Sequence, residues 1–169
     1  VSTVLTHIQA GRLRALGVPK KQASQLAPKV SAYMGEFYTP HSIVPEDAQR
    51  ILPLLKQQGY ILAVISNRDK PFQDELESLD ISKFFQFSLA GGEVDVYKPE
   101  PEIFRHALKR ADLRAEETIY VGDNYYADVI GSRRAGLRPV LYDPNRLFPE
   151  ADCTVIQSFD ELIPAIKNL

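Results

Sequence analysis

From Pro45 onward, helical patterns and short apolar runs take strict turns along the chain. Pro45 opens a helix with Glu46 and Asp47 in its first turn; it carries Ile51, Leu52, Leu54 and Leu55, is bent by Pro53, and stops at Gly59. Tyr60–Ile65 is a strand. A helix from Pro71 through Leu79 follows, then a strand over Phe85–Leu89 and a loop from Gly91 to Pro99. Glu100–Arg110 is helical and Ile119–Val121 is a buried strand. A helix closing at Gly136 leads to a strand that runs into Asp143, and Thr154–Ile156 is the last short strand. Ser158 starts the final helix as a capping box with Glu161. Such alternation predicts an α/β fold, a parallel sheet with helices on both faces. Right-handed crossovers then bring the carboxyl ends of the strands to one edge.

The first quarter differs. Val4, Leu5, Ile8, Leu13 and Leu16 form a helical stripe over residues 3–16, and Gly17 is placed to end it. Pro19 opens a second helix, which Pro28 either kinks or divides. Thr39-Pro40-His41-Ser42 is a break. The expected organisation is a helical segment over residues 1–43 and an α/β core over 44–169.

Charge and cysteine usage exclude several classes. A net charge of −2 gives no footprint for nucleic acid or an anionic membrane surface. Cys153 is the single cysteine, and His7, His41 and His106 are scattered, so neither a disulfide framework nor a cysteine–histidine metal cluster is available. No apolar run reaches the length of a membrane span and no signal peptide is evident, so the expectation is a cytoplasmic protein. Oligomeric state is open.

Chemistry-bearing residues gather at the expected sheet edge. Gly122 breaks the strand, Asp123 lands at its carboxyl end, and Asp128 follows in the first turn of the next helix. Taken alone, these acids fit a helix cap as well as a hard-cation site. Ser66-Asn67 follows another strand, and Lys98 stands in a third loop on the same edge. A serine hydroxyl with the backbone N–H groups behind it, a lysine ammonium and a carboxylate pair able to hold Mg²⁺ are what a phosphoryl group requires.

The segments Ile-Ser-Asn at 65–67, Lys-Pro-Glu-Pro-Glu-Ile-Phe at 98–104 and Val-Gly-Asp-Asn-Tyr-Tyr-Ala-Asp-Val at 121–129 resemble the haloacid dehalogenase superfamily in its phosphatase branch. Arg133-Arg134-Ala135-Gly136 fits the helix end that follows in many members, and the likeness spans roughly Pro45 to Asp143. The resemblance implies a Rossmann-like core with a small helical cap over residues 1–43. It also implies Ser66, with Asn67 beside it, and Lys98 as phosphate binders. Asp123 would be the Mg²⁺ ligand, and Asp128 the acid supporting both metal and lysine. Arg68, Tyr125 and Tyr126 lie near the inferred pocket, where surface or packing roles are favoured. The implied activity is Mg²⁺-dependent hydrolysis of a small phosphorylated metabolite through an aspartyl-phosphate. A phosphomutase or a dehalogenase shares the fold, and the Gly-Asp at 122–123 favours the phosphatase over the dehalogenase. A scaffold that kept the fold without catalysis is the reading from another class.

One element of the family pattern is missing. Its nucleophile is an aspartate ending the first strand, followed two residues later by a second; no Asp-x-Asp precedes Pro45, and the first aspartate is Asp47. The family likeness sets that strand between those ending in Ser66 and Asp123. The expectation is an N-terminally truncated chain with two unpaired strand edges facing a gap and no turnover, in preference to a natural fold without the strand; a separate peptide or rearranged residues 1–8 filling the slot is the alternative.

Overall fold

The structure is a computed structural model that describes residues 10, 13–14, 16–37 and 42–169. The chain divides into two compact units, Val1–Ser42 and Ile43–Leu169. In the first, helix α1 spans Lys20–Phe37 and runs unbroken through Pro28, at the cost of the backbone bond that proline cannot donate. Ala23 and Ala27 are fully buried, and the Tyr33 and Phe37 rings meet at 4.9 Å. Gly17, at φ +87°, takes the left-handed conformation: its N–H bonds Arg14 O and the Val18 N–H bonds Leu13 O. The helix expected over 3–16 and the break at 39–42 fall largely on residues outside those described.

The second unit carries the alternating elements. Helix α2 (Glu46–Gln57) buries Ala48, Ile51 and Leu55. Its end uses the Tyr60 N–H to cap Leu55 O behind Gly59, so the following strand β1 begins only at Ala63 and runs to Ser66. Helix α3 (Gln73–Ser78) leads to strand β2 (Phe87–Ala90), buried along its whole length. A single helical turn, α4 (Gly91–Val94), stands where a loop was expected, started by the Glu93 carboxylate accepting the Ala90 N–H at 2.6 Å. Helix α5 (Pro101–Ala111) and strand β3 (Ile119–Gly122) come next. The segment after β3 is a π-helical turn, Tyr125–Ile130, rather than the first turn of an α-helix, and it runs into α6 (Gly131–Arg134). Strands β4 (Arg138–Tyr142) and β5 (Thr154–Ile156) are followed by a 3₁₀ turn and α7 (Leu162–Lys167). Ser158 is the N-cap of this turn as expected, its Oγ accepting the Asp160 N–H at 3.2 Å, and only the Glu161 half of the capping box is displaced by one residue. Glu161 accepts the Gln157 N–H, while Ser158 Oγ donates to Asp47 Oδ2 at 2.7 Å and joins this turn to the start of α2.

Among the described residues every strand pair is parallel. Strand β1 pairs with β2, and β3, β4 and β5 form a second set in that order. Side chains alternate across β3: Tyr120 joins the cluster of Phe87, Ile103 and Phe104, while Ile119 and Val121 join that of Ile51, Leu55 and Val140. Both faces of the strand are therefore covered, as parallel sheets require. Among the described residues β1 and β3 each keep one edge without a strand partner. Between them lies an apolar cleft, with a cavity of about 300 Å³ reached by Leu55, Ile61 and Val121 on one face and one of about 90 Å³ reached by Ile65, Phe104 and Tyr120 on the other.

Candidate active site

The carboxyl ends of β1 and β3 deliver Ser66 and Gly122-Asp123, and the loop between α4 and α5 delivers Lys98. Lys98 is the centre of the arrangement. Its side chain is only 12% exposed, and its ammonium donates to Asp128 Oδ1 at 2.7 Å, to the Tyr120 hydroxyl at 2.9 Å and to Ile65 O at 3.4 Å. Burial opposes the charged form, and Tyr120 and Asp128 beside it outweigh burial, so the pKa of Lys98 stands above that of a free lysine.

Asp128 is buried because the chain leaves room for it. The π-helical turn folds its side chain back against Gly122, where an added Cβ would lie 2.4 Å from the carboxyl carbon. Its second oxygen accepts the Asn124 N–H at 2.9 Å. Asn124 in turn caps the turn by accepting the Ala127 N–H. Asp123 differs: it is exposed and, among the described residues, makes no hydrogen bond or ion pair. The Ser66 hydroxyl is likewise uncommitted. Asn67 spends its amide on the Lys98 backbone, accepting the Lys98 N–H at 2.7 Å and donating to Lys98 O at 2.8 Å.

Tyr120 was not singled out from the sequence, since tyrosine in a strand reads as packing. Its ring meets Phe104 edge-on at 4.8 Å and its hydroxyl also reaches Ile65 O, across the cleft. Burial, with Asp128 nearby, pushes its pKa up to about 12 against the pull of Lys98. Arg68 is held by Glu75 and lies over the Phe72 ring. Tyr126 is 62% exposed.

Tyr125 stacks on Phe148 and donates to Asp152, which Arg133 grips through two nitrogens at 3.0 Å. These bonds, Arg133 first and then Tyr125, hold the Asp152 carboxyl down at about 2, from 3.8. A carboxylate stabilised in the folded state contributes above its unfolded pKa and loses that contribution as pH falls through its folded pKa. The melting temperature of Asp152→Ala is therefore expected to trail the parent's by a small, constant margin above pH ~4, with the gap closing towards pH ~2. A gap that persists unchanged at pH ~2 would sink this assignment.

A family model for haloacid dehalogenase-like hydrolases matches residues 6–141. The chain belongs to that family. Among its relatives, the mouse haloacid dehalogenase-like hydrolase domain-containing protein 3 is 36% identical over 163 residues, covering 92% of this chain and 64% of that protein. The glyceraldehyde 3-phosphate phosphatase of Pyrococcus furiosus is 30% identical over 145 residues, covering 85% of this chain and 60% of that one. The chain thus spans less than two thirds of the length of either. The crystal structure of a HAD phosphatase from Thermococcus onnurineus superposes with a TM-score of 0.71 at 22% identity, covering 96% of this chain and 87% of that one. This shows the fold to be that of haloacid dehalogenase-like hydrolases, a parallel α/β core with flanking helices.

The donors at the sheet edge of this haloacid dehalogenase-like hydrolase are oxygens only. No group of three or more His, Cys, Asp or Glu able to hold a metal gathers among the described residues. One free carboxylate, Asp123, beside a second, Asp128, suits a cation that binds through one or two carboxylates and keeps its waters, as Mg²⁺ does. No helix among the described residues is long and apolar enough to cross a membrane.

Proposed function

We propose that this chain carries the phosphate-handling part of a Mg²⁺-dependent, cytoplasmic phosphatase acting on small phosphate monoesters. The observation that carries the proposal is the buried Lys98–Asp128 pair at the strand ends, flanked by two uncommitted groups, Ser66 and Asp123. The relative from Pyrococcus furiosus is itself named a glyceraldehyde 3-phosphate phosphatase.

In this scheme Lys98, fixed by Asp128, sets a positive charge against the phosphoryl oxygens and against an attacking carboxylate. Ser66 donates a hydrogen bond to a phosphoryl oxygen. Asp123, supported by Asp128, would hold the metal. When bound, Mg²⁺ neutralises charge on the transferring group. The nucleophile would be an aspartate at the end of a strand lying between β1 and β3. Its carboxylate oxygen forms a bond to phosphorus as the ester oxygen leaves and takes up a proton. Water then cleaves the acyl phosphate to release inorganic phosphate and regenerate the carboxylate. The helical first unit would be the cap that selects the substrate.

The test is phosphate release from a panel of phosphoglycolate, sugar phosphates, nucleotides and pyrophosphate, with and without Mg²⁺. Residues 1–169 are expected to bind Mg²⁺ and phosphate weakly and to release no product. The same chain extended by an apolar strand ending in Asp-x-Asp should turn over, and Asp123→Asn in that extended form should remove the response to Mg²⁺. Robust turnover by residues 1–169 alone would overturn the proposal.

A further inference from the structure

Lys98 sits in a loop, and its own backbone lies outside any helix or strand. Among the described residues the partner of both its backbone polar groups is a single side chain, Asn67. Asn67 is the first residue beyond β1, and its amide presents to Lys98 what a neighbouring strand would present: an acceptor for the N–H at 2.7 Å and a donor for the carbonyl at 2.8 Å. The geometry needs both ends of a carboxamide on a short stem. An aspartate could not donate, and a serine offers one atom rather than two.

Two other bonds tie the same loops. The Gly92 N–H reaches Arg68 O at 3.0 Å, and the Tyr97 hydroxyl reaches Asp69 at 2.9 Å. Neither touches Lys98. The Lys98 side chain is fixed at its far end by Asp128 and Tyr120, so Asn67 supplies the fixed point at the near end. Without it, the ammonium keeps its partners while the backbone behind it is free to shift.

We infer that Asn67 is a positioning residue, which sets Lys98 in register with Ser66 at the sheet edge and acts on phosphate through Lys98. The inference rests on the phosphate-handling reading of Lys98 for its consequence, and on the paired hydrogen bonds for its structure. One N–H of the Asn67 amide remains, so a direct bond to phosphate is the rival to be separated by experiment.

Two measurements on residues 1–169 separate these cases. The first is residue-resolved hydrogen exchange at the Lys98 backbone amide. Asn67→Ala should speed its exchange by about tenfold, the scale of one lost hydrogen bond, while Asn67→Asp, which keeps the acceptor, should retain most of the protection. The second is titration with inorganic phosphate in a double-mutant cycle. Asn67→Ala should weaken binding about fivefold in the parent and leave it unchanged in a Lys98→Ala background. Unchanged exchange at the Lys98 amide overturns the inference. So does an equal loss of phosphate affinity in both backgrounds, which would make Asn67 a direct ligand. If the parent binds no phosphate, the phosphatase reading fails, and the exchange measurement alone still decides whether Asn67 holds Lys98.

Discussion

Lys98→Met is expected to destabilise the α/β unit by about 3–5 kcal/mol, the scale of breaking a buried ion pair from one side. The Asp128 side chain is 4% exposed, and with the ammonium gone one of its oxygens loses its partner, while the other keeps only the Asn124 N–H. The methionine fills much of the vacated space, so the loss reports the stranded carboxylate rather than a hole. Urea unfolding followed by circular dichroism should show a lower midpoint with the slope unchanged. Lys98→Met combined with Asp128→Leu should recover part of the loss, because the charge that needed a partner is then absent. A shift of less than about 1 kcal/mol in the single variant would mean that Asp128 is not dependent on Lys98.

The second large effect is expected at Gly122→Ala. Gly122 is not in the left-handed region, so its backbone tolerates alanine. The obstacle is space: the new methyl would sit 2.4 Å from the Asp128 Cγ and Oδ2. Overpacking of this kind costs about 1–3 kcal/mol, and the side chain it displaces is the partner of Lys98. The loss should therefore approach that of Lys98→Met. It should also be strongly non-additive: in an Asp128→Gly background, which also removes the Cβ that would lie 2.5 Å away, the same methyl meets a vacated site, and most of its cost should vanish. Equal penalties in the two backgrounds would refute the crowding account.

These effects explain what the sequence could and could not disclose. Alternation of helix and strand assigns Ser66, Lys98 and Asp123 to one edge, because in a parallel sheet every strand points the same way. Gly122 next to Asp123 marks the strand end in the same manner. Tyr120 escaped notice because, inside an apolar run, its ring accounts for its presence; the use of its hydroxyl depends on where α5 and β1 come to lie. Asn67 followed a strand and read as a phosphate contact, yet its bond to Lys98 joins loops 31 positions apart, a distance no local pattern encodes. The late start of β1 has a local cause: the Tyr60 N–H is consumed in closing α2, so a residue that looks like strand serves the helix instead. The π-helical turn reflects a side-chain demand, since Asp128 must fold back over Gly122 to reach Lys98.

The all-parallel arrangement also bears on how the chain finds its structure. Parallel strands cannot be joined by a tight hairpin, so each pairing must await an intervening helix or long crossover. Nothing resembling a two-strand nucleus can form early from neighbouring residues. Helices such as α2 and α5 can form locally, but β1 and β3 come together only through long-range contacts such as that of Tyr120 with Ile65. Folding of this unit should be slow for its size, and the site, which spans both strand sets, should be among the last parts to become ordered.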